Sequence, residues 1–590
     1  MIAPGTRSLL AHVRRHWREY ALGVLALAVV DAIDGVLAPW LQGAAFANLE
    51  VEPDLRWSCL LIGAAFAGAA LIQLGLRYAW RMYFIRTSDR IGGEVRGQLF
   101  AQLQALPAHR LEHARSGDLL SRMTNDLNDV RSATGMGVLL AADSALYLLF
   151  VIPQLVYLSP RLAAVTALAL PLVLLLVRWG GRVVHERGTE VQERLAALSG
   201  QLQESFSGAR VVKAFATEPR EEARLDALAR AYLTGQLRLA RFQAGYSPSL
   251  GLVFDLAHLL AIGLGGREVL LGRMSLAELV VWLRAFDKVV WPMMAIGMVT
   301  GMVQRGAAAQ ARIDEVLHEP RDPASPPPPP PAGEPALTGA LRVEGLTFRY
   351  PGGDPTRPPV LTDVSFQAAP GSFLAIVGPV GAGKSTLLSL LSRIYEPPPG
   401  TVFLDQRDLL QVPPGVLRRD VALVPQEAFL FSTSIAENVA FGRRDALSPA
   451  EIEEACRAAR VDDEVRALPE GYQARLGERG VNLSGGQRQR LTIARALARG
   501  PRLLLLDDAL SAVDVETEGA IARAVRERLG PTRVVVTHRL SSVQAADQIL
   551  VLERGRIVER GKHAELLARG GAYARLHRLE RLEQEVAAHG

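Results

Sequence analysis

Eight consecutive residues, Gly378-Pro379-Val380-Gly381-Ala382-Gly383-Lys384-Ser385, have the form G-x-x-x-x-G-K-S. That spacing serves polyphosphate chemistry. Glycines let backbone N–H groups turn inward, a lysine at the end reaches the β- and γ-phosphates, and the serine hydroxyl ligates Mg²⁺. The apolar run at 373–377 reads as a buried strand, and Thr386-Leu387-Leu388 opens a helix whose N-terminal dipole adds to the anion site. Two further stretches carry chemistry. In Arg502-Leu503-Leu504-Leu505-Leu506-Asp507-Asp508 an apolar strand ends in two acids, where a carboxylate can hold Mg²⁺ through water. Ser484-Gly485-Gly486-Gln487 precedes a helical pattern over 491–497 and makes a second anion site at a helix N-terminus; alone it would be a turn.

These residues need a scaffold. From residue 341 onward, apolar strand-like runs alternate with helical patterns, which predicts an α/β domain with a largely parallel sheet. The first half is different. Six long apolar segments occur, at about 22–47, 59–84, 137–158, 162–179, 246–271 and 276–303, and about 20 such residues cross a bilayer. Three of the joins are short; the other two are long and rich in arginine, with Arg86 and Arg182 near span ends. The positive-inside rule then puts both long joins and both termini in the cytoplasm. Each long join contains a polar break, at 116–126 and 204–215, where a short helix can dock on another domain. Between the halves, residues 319–339 include six consecutive prolines and read as a semi-rigid spacer. The expected division is 1–318, 319–339 and 340–590.

Bulk properties agree. The chain has 590 residues and a net charge of +5; its mean hydropathy is +0.15 and its pI about 9.3. The basic balance admits nucleic acid or an anionic membrane face, and the apolar segments favour the membrane. Its two cysteines, Cys59 and Cys456, fall in regions of opposite character, which argues against a disulfide or metal framework. Lysine occurs only at 213, 288, 384 and 562, and one of these sits in the phosphate loop. Ionisable residues lie inside the apolar segments: Asp31, Asp34, Arg77, Arg81, Asp143, Asp255, His258, Arg284, Asp287 and Lys288. They either line a polar cavity or form ion pairs between helices and at headgroup level. Arg284, Asp287 and Lys288 have the spacing to pair along one helix.

With these motifs in order, the chain resembles one half of an ABC exporter, a multidomain membrane protein with an all-α six-helix transmembrane domain fused to one α/β P-loop ATP-binding cassette. The likeness covers all but the proline spacer. Tyr350 matches the aromatic that stacks on adenine, residues 378–386 match Walker A, and Gln426 matches the loop glutamine that senses Mg²⁺ and contacts the membrane domain. Residues 477–480 resemble the segment that meets the coupling helices, and Leu483-Ser484-Gly485-Gly486-Gln487 is the family signature. Residues 503–507 match Walker B, Ser511-Ala512-Val513-Asp514 the D-loop, and His538 the switch histidine.

The resemblance implies ATP and Mg²⁺ as cofactors. It implies nucleotide contacts from Tyr350, Gly378, Gly381, Ala382, Gly383, Lys384, Ser385, Thr386, Gln426, Ser484, Gly485, Gly486 and Gln487, and metal contacts from Ser385, Gln426 and Asp507. Lys384, Gln426, Asp508 and His538 are the implied catalytic group. It also implies a multi-pass protein of the inner (plasma) membrane with a cytoplasmic cassette, partnered by a second half-transporter, the bilayer and an amphipathic substrate (drug, lipid or peptide), with no nucleic acid.

One position departs from the pattern. Where the family places a glutamate as general base, this chain has Asp508, shorter by one methylene, about 1.5 Å. Small misplacements of a base cost orders of magnitude in rate. An aspartate here beside an intact signature resembles the slow-site subunit of a heterodimer. A homodimer that tolerates aspartate, a lipid flippase and a regulated channel remain open.

Overall fold

The computed structural model describes residues 4–51, 56–113, 116–167, 169–322, 330, 333–352, 354, 356–443, 446–477, 480–510 and 515–589. It divides into two compact units, Met1–Ala101 with Ser116–Glu319, and Gln102–Arg115 with Pro320–Gly590.

The first unit is helical. Among the described residues, four helices are long and apolar enough to cross a membrane: Trp17–Ala47, Leu60–Gln104, Gly117–Leu158 and Glu218–Leu270. They carry the first, second, third and fifth of the six expected segments. The fourth expected segment falls across Pro160–Ala167 and Ala169–Ser207. The sixth is divided into Leu276–Asp287 and Val290–Leu317. Pro292 accounts for the division. It lacks an N–H, and its ring crowds the carbonyl of Lys288, so the helix stops and restarts with proline in its first turn. The outer surface is apolar: Leu60, Leu61, Leu71 and Leu74 are all exposed, the reverse of a water-soluble bundle. Inside, Trp282 is fully buried and donates from Nε1 to the Leu155 carbonyl at 3.2 Å, and Tyr20 Oη donates to the Thr134 carbonyl at 2.8 Å. Arg284 lies 4.0 Å from Asp287, as the helical spacing predicts. Lys288 instead crosses to Asp34 on the first long helix, at 2.9 Å.

Among the described residues the second unit has ten strands: β1 (Leu341–Phe348), β2 (Leu361–Ala368), β3 (Phe373–Val377), β4 (Val402–Leu404), β5 (Arg407–Asp408), β6 (Val421–Val424), β7 (Leu503–Asp507), β8 (Thr532–Val536), β9 (Gln548–Glu553) and β10 (Arg556–Gly561). An antiparallel sheet has the order β2-β1-β4-β5, and a larger one runs β10-β9-β3-β8-β7-β6. Within the larger sheet β9, β3, β8, β7 and β6 are parallel, so one edge collects all their C-terminal ends. β8 is buried at every residue, because both faces of the sheet are covered.

Residues 102–115 belong to this second unit. Pro107 ends the preceding long helix by disfavouring helical backbone before it, and a short helix, Ala108–His113, follows. The neighbouring stretch 116–126 starts the helical run that continues to Leu158. A second short helix, Ala209–Ala214, lies within the stretch 204–215.

Candidate nucleotide site

The parallel register builds the site. Asp507 at the end of β7 pairs with Val536 at the end of β8, and Val536 also pairs with Ile376 of β3. The residues that follow these three strand ends therefore meet. After β3 comes the loop 378–383, then the helix Lys384–Leu391. Gly381 and Gly383 have φ of 82° and 97°, left-handed values that favour glycine. At Gly378 a Cβ would stand 2.1 Å from the Leu552 carbonyl oxygen, so the loop packs backbone against backbone there. Ala382 is buried, and its carbonyl accepts from Gly555 N at 3.2 Å, which anchors the floor of the loop to the turn after β9.

Lys384 curls back. Its Nζ donates to the Gly378 and Pro379 carbonyls at 2.8 and 2.9 Å. Burial pulls the ammonium below its ordinary range, against the pull of Asp508 and Asp507. Ser385 Oγ donates to Asp507 Oδ1 at 3.0 Å. Burial pushes the Asp507 carboxyl up, and Asp508 adds to the effect, while Ser385 and Lys384 oppose it. Thr386 Oγ1 shares a 2.8 Å hydrogen bond with Tyr350 Oη. The Tyr350 ring meets Tyr395 edge-on, with centroids 5.0 Å apart, and Tyr395 lies 6.4 Å from the His109 ring. A row of side chains thus runs from the short helix Ala108–His113 to the first turn after the phosphate loop.

Asp508 has φ of 47°, a left-handed conformation that aspartate tolerates better than most residues. Its N–H donates to the Val536 carbonyl at 2.8 Å. His538 Nδ1 lies 2.9 Å from its carboxylate, and Thr537 Oγ1 donates to Oδ1 at 3.4 Å. Gln489 Nε2 donates to the Asp508 carbonyl at 3.3 Å. Thr537 and Gln489 were not among the sequence candidates, although a buried glutamine on the signature helix is the kind of residue that needs a partner.

The signature lies elsewhere. Ser484 caps the helix Gly485–Leu497: its Oγ accepts from Gln487 N at 3.2 Å, and Gln487 Oε1 accepts from Ser484 N at 2.9 Å. Gly485 and Gly486 form the first turn, and a Cβ on Gly485 would meet nothing within 4 Å. Gln426 is exposed, two residues past β6, and the pairing of Val424 with Leu506 carries it to the same sheet edge as Asp508. Residues 478–479 and the expected D-loop 511–514 lie outside the described residues.

The donors fit a nucleoside triphosphate: an inward-facing glycine loop, an ammonium that can exchange carbonyl partners for phosphate oxygens, and a hydroxyl–carboxylate pair beside it. Comparison with known proteins agrees. Residues 20–293 match the ABC transporter transmembrane region and residues 361–511 match the ABC transporter domain. The chain is 36% identical over 578 residues to the multidrug resistance-like ATP-binding protein MdlA of Escherichia coli, covering 97% of this chain and 96% of that one. It is 34% identical over 594 residues to the ATP-dependent lipid A-core flippase of Pseudomonas aeruginosa, covering 99% and 97%. The solved structure of a bacterial Atm1-family ABC exporter with ATP bound superposes with a TM-score of 0.76 at 27% identity, covering 96% of this chain and 98% of that one. The chain therefore belongs to the ABC transporter family, as a half-transporter of the exporter type: a membrane-spanning domain and an ATP-hydrolysing cassette in one polypeptide, built for primary active transport.

Proposed function

We propose that this half-transporter works as one subunit of a heterodimer that moves an amphipathic substrate out of the cytoplasm, and that its own phosphate-loop site turns over slowly. The observation that carries the slow site is Asp508. Its carboxylate is one methylene short of the family's glutamate, and its engagement with His538 and Thr537 holds it back against β8. A base held short of the attacking water loses rate steeply. The amphipathic class is supported by relatives named for multidrug resistance and lipid A-core flipping, and by the apolar surface of the membrane unit.

In this reading the cassette and both termini are cytoplasmic, in the inner membrane. Tyr350 stacks on adenine. The loop N–H groups of Gly378, Gly381, Ala382 and Gly383, with Lys384 and Thr386, hold the phosphates. Ser385, Asp507 and Gln426 hold Mg²⁺, which supplies charge neutralisation at the phosphates. Asp508 orients the water and His538 supports it. Ser484, Gly485, Gly486 and Gln487 complete the partner's site, where the faster hydrolysis occurs. The row His109–Tyr395–Tyr350–Thr386 supports coupling through the helix Ala108–His113. Around the short helix Ala209–Ala214, the exposed Phe206, Val211 and Phe215 support seating on the partner's cassette.

The test is the ATPase rate of the purified chain by itself. Turnover near background is expected, and robust turnover at two equivalent sites means a homodimer that tolerates aspartate. In the assembled transporter, Asp508→Asn should cost far less than neutralising the partner's base; an equal loss removes the slow-site assignment.

A further inference from the structure

The segment that carries His538 is held from outside the nucleotide site. It leaves the end of β8 at Thr537 and passes into a short 3₁₀ helix, Leu540–Val543. Thr537 secures its start: the N–H donates to the Ile376 carbonyl at 3.3 Å, and Oγ1 accepts from Arg539 N at 3.0 Å. Leu540 and Val543 are buried in one cluster with Leu566, Ala572 and Tyr573. That contact ties the segment to the helix Ala572–His589. Apolar packing is non-directional, however, and does not by itself fix where a turn points.

A directional contact is also present. The first N–H of a helical turn has no partner within the turn. Here the Leu540 N–H, two residues after His538, donates to Glu580 Oε2 at 2.9 Å. A carboxylate accepting from a backbone N–H makes a charge-assisted bond, about twice as strong as a neutral one. A weaker tether accompanies it: Arg539 Nη1 stands 3.8 Å from Glu518 Oε2 on the helix Val515–Leu529, too far for a hydrogen bond.

Glu580 is itself held. It lies about 12 Å along the helix axis from Ala572. The start of that helix is fixed on β10, where Glu559 accepts from the Ala572 and Tyr573 N–H groups at 2.7 and 3.0 Å. Tyr573 is fully buried, and its Oη shares a 2.7 Å hydrogen bond with His563 Nδ1. The other oxygen, Glu580 Oε1, is buried without a hydrogen-bond partner among the described residues. A buried acceptor left unsatisfied is destabilising, so the contact with Leu540 adds direction to the turn more than stability to the fold.

We infer that Glu580 is a positioning residue for ATP hydrolysis: through the Leu540 N–H it holds the turn that keeps His538 against Asp508, 2.9 Å away. A side chain on the helix Ala572–His589 thereby braces the switch histidine without touching nucleotide. The inference rests on the role proposed for His538, so both residues enter the test.

The experiment uses the assembled full-length transporter in lipid nanodiscs, with the partner's base neutralised. Single-turnover release of labelled phosphate then reports hydrolysis at this chain's own phosphate loop. Glu580→Ala should lower that rate about tenfold and leave the affinity for labelled ATP within about twofold. Glu580→Gln keeps an acceptor oxygen and should bring the rate to within about threefold of wild type. On a His538→Ala background, Glu580→Ala should cost nothing further, because the two residues act as a unit. Should Glu580→Ala fail to fold, Glu580→Asp, which keeps the charge but falls short of Leu540, gives the same readout. A rate unchanged by Glu580→Ala while His538→Ala slows it overturns the brace. So does a parallel loss of ATP affinity, a glutamine that rescues nothing, or an additive loss in the double variant. A rate indifferent to His538→Ala removes the role of the histidine instead, and the positioning role falls with it.

Discussion

The phosphate loop and the signature both stand at helix N-termini, yet they are engaged differently within one chain. The loop is internally engaged: Lys384 is bonded to its own carbonyls and Ser385 to Asp507. The signature turn is capped by its own Ser484 and Gln487, but Gly485 faces open space. In the proposed heterodimer one site is complete up to its shortened acid, and the other is half of a site that needs a nucleotide held by the partner. The two faces should therefore respond separately to mutation.

The largest expected effect is on the loop. Lys384→Ala should weaken ATP binding to the chain by about a hundredfold, the 2–3 kcal/mol that charge-assisted hydrogen bonds contribute, as measured by titration with labelled nucleotide. Next comes the signature. Gly485→Ala leaves the fold untouched, because its Cβ meets nothing in this chain, yet it should cut the assembled transporter's ATPase about tenfold by crowding the partner's nucleotide. An unchanged rate would remove the signature from the partner's site. A smaller change of opposite sign is expected from Asp508→Glu, which should raise turnover at this chain's own site about fivefold. It should also cost the cassette about 0.5–1 kcal/mol, because glutamate is less at ease in the left-handed conformation.

The smallest effect is a pH slope. Asp507 is raised above its ordinary 3.8 by burial, so the folded cassette keeps a proton that the unfolded chain releases. That stabilisation is full below 3.8 and is lost as pH rises through the raised value. Melting of the nucleotide-free chain should show it, and Asp507→Asn should flatten it.

The nucleotide site was legible in the sequence because its parts are short and local. Glycines at fixed offsets, a lysine, and two acids ending an apolar strand each report their own backbone geometry. The membrane unit was less so. The proline that divides the sixth span was in plain view at 292, but its effect is hidden inside an apolar run. Lys288 and Asp34 are 254 positions apart, so no periodicity links them, and the helical spacing pointed to a local pairing of Lys288 instead. The short helix grouped with the cassette follows Pro107, a helix-ending signal less conspicuous than the polar stretch at 116–126. Tyr350 shows the same limit on a smaller scale: its ring was recognisable, but its contact with Tyr395 joins the end of β1 to the turn after the helix Lys384–Leu391, 45 positions on.

Lys384 sets a threshold of discrimination. Its ammonium already has two oxygens, at 2.8 and 2.9 Å. A phosphate ligand must return both with charged oxygens before the lysine leaves them, and the exchange favours the charged acceptors. The folded-back side chain thus acts as a latch, held shut by neutral carbonyls and opened by anionic oxygens.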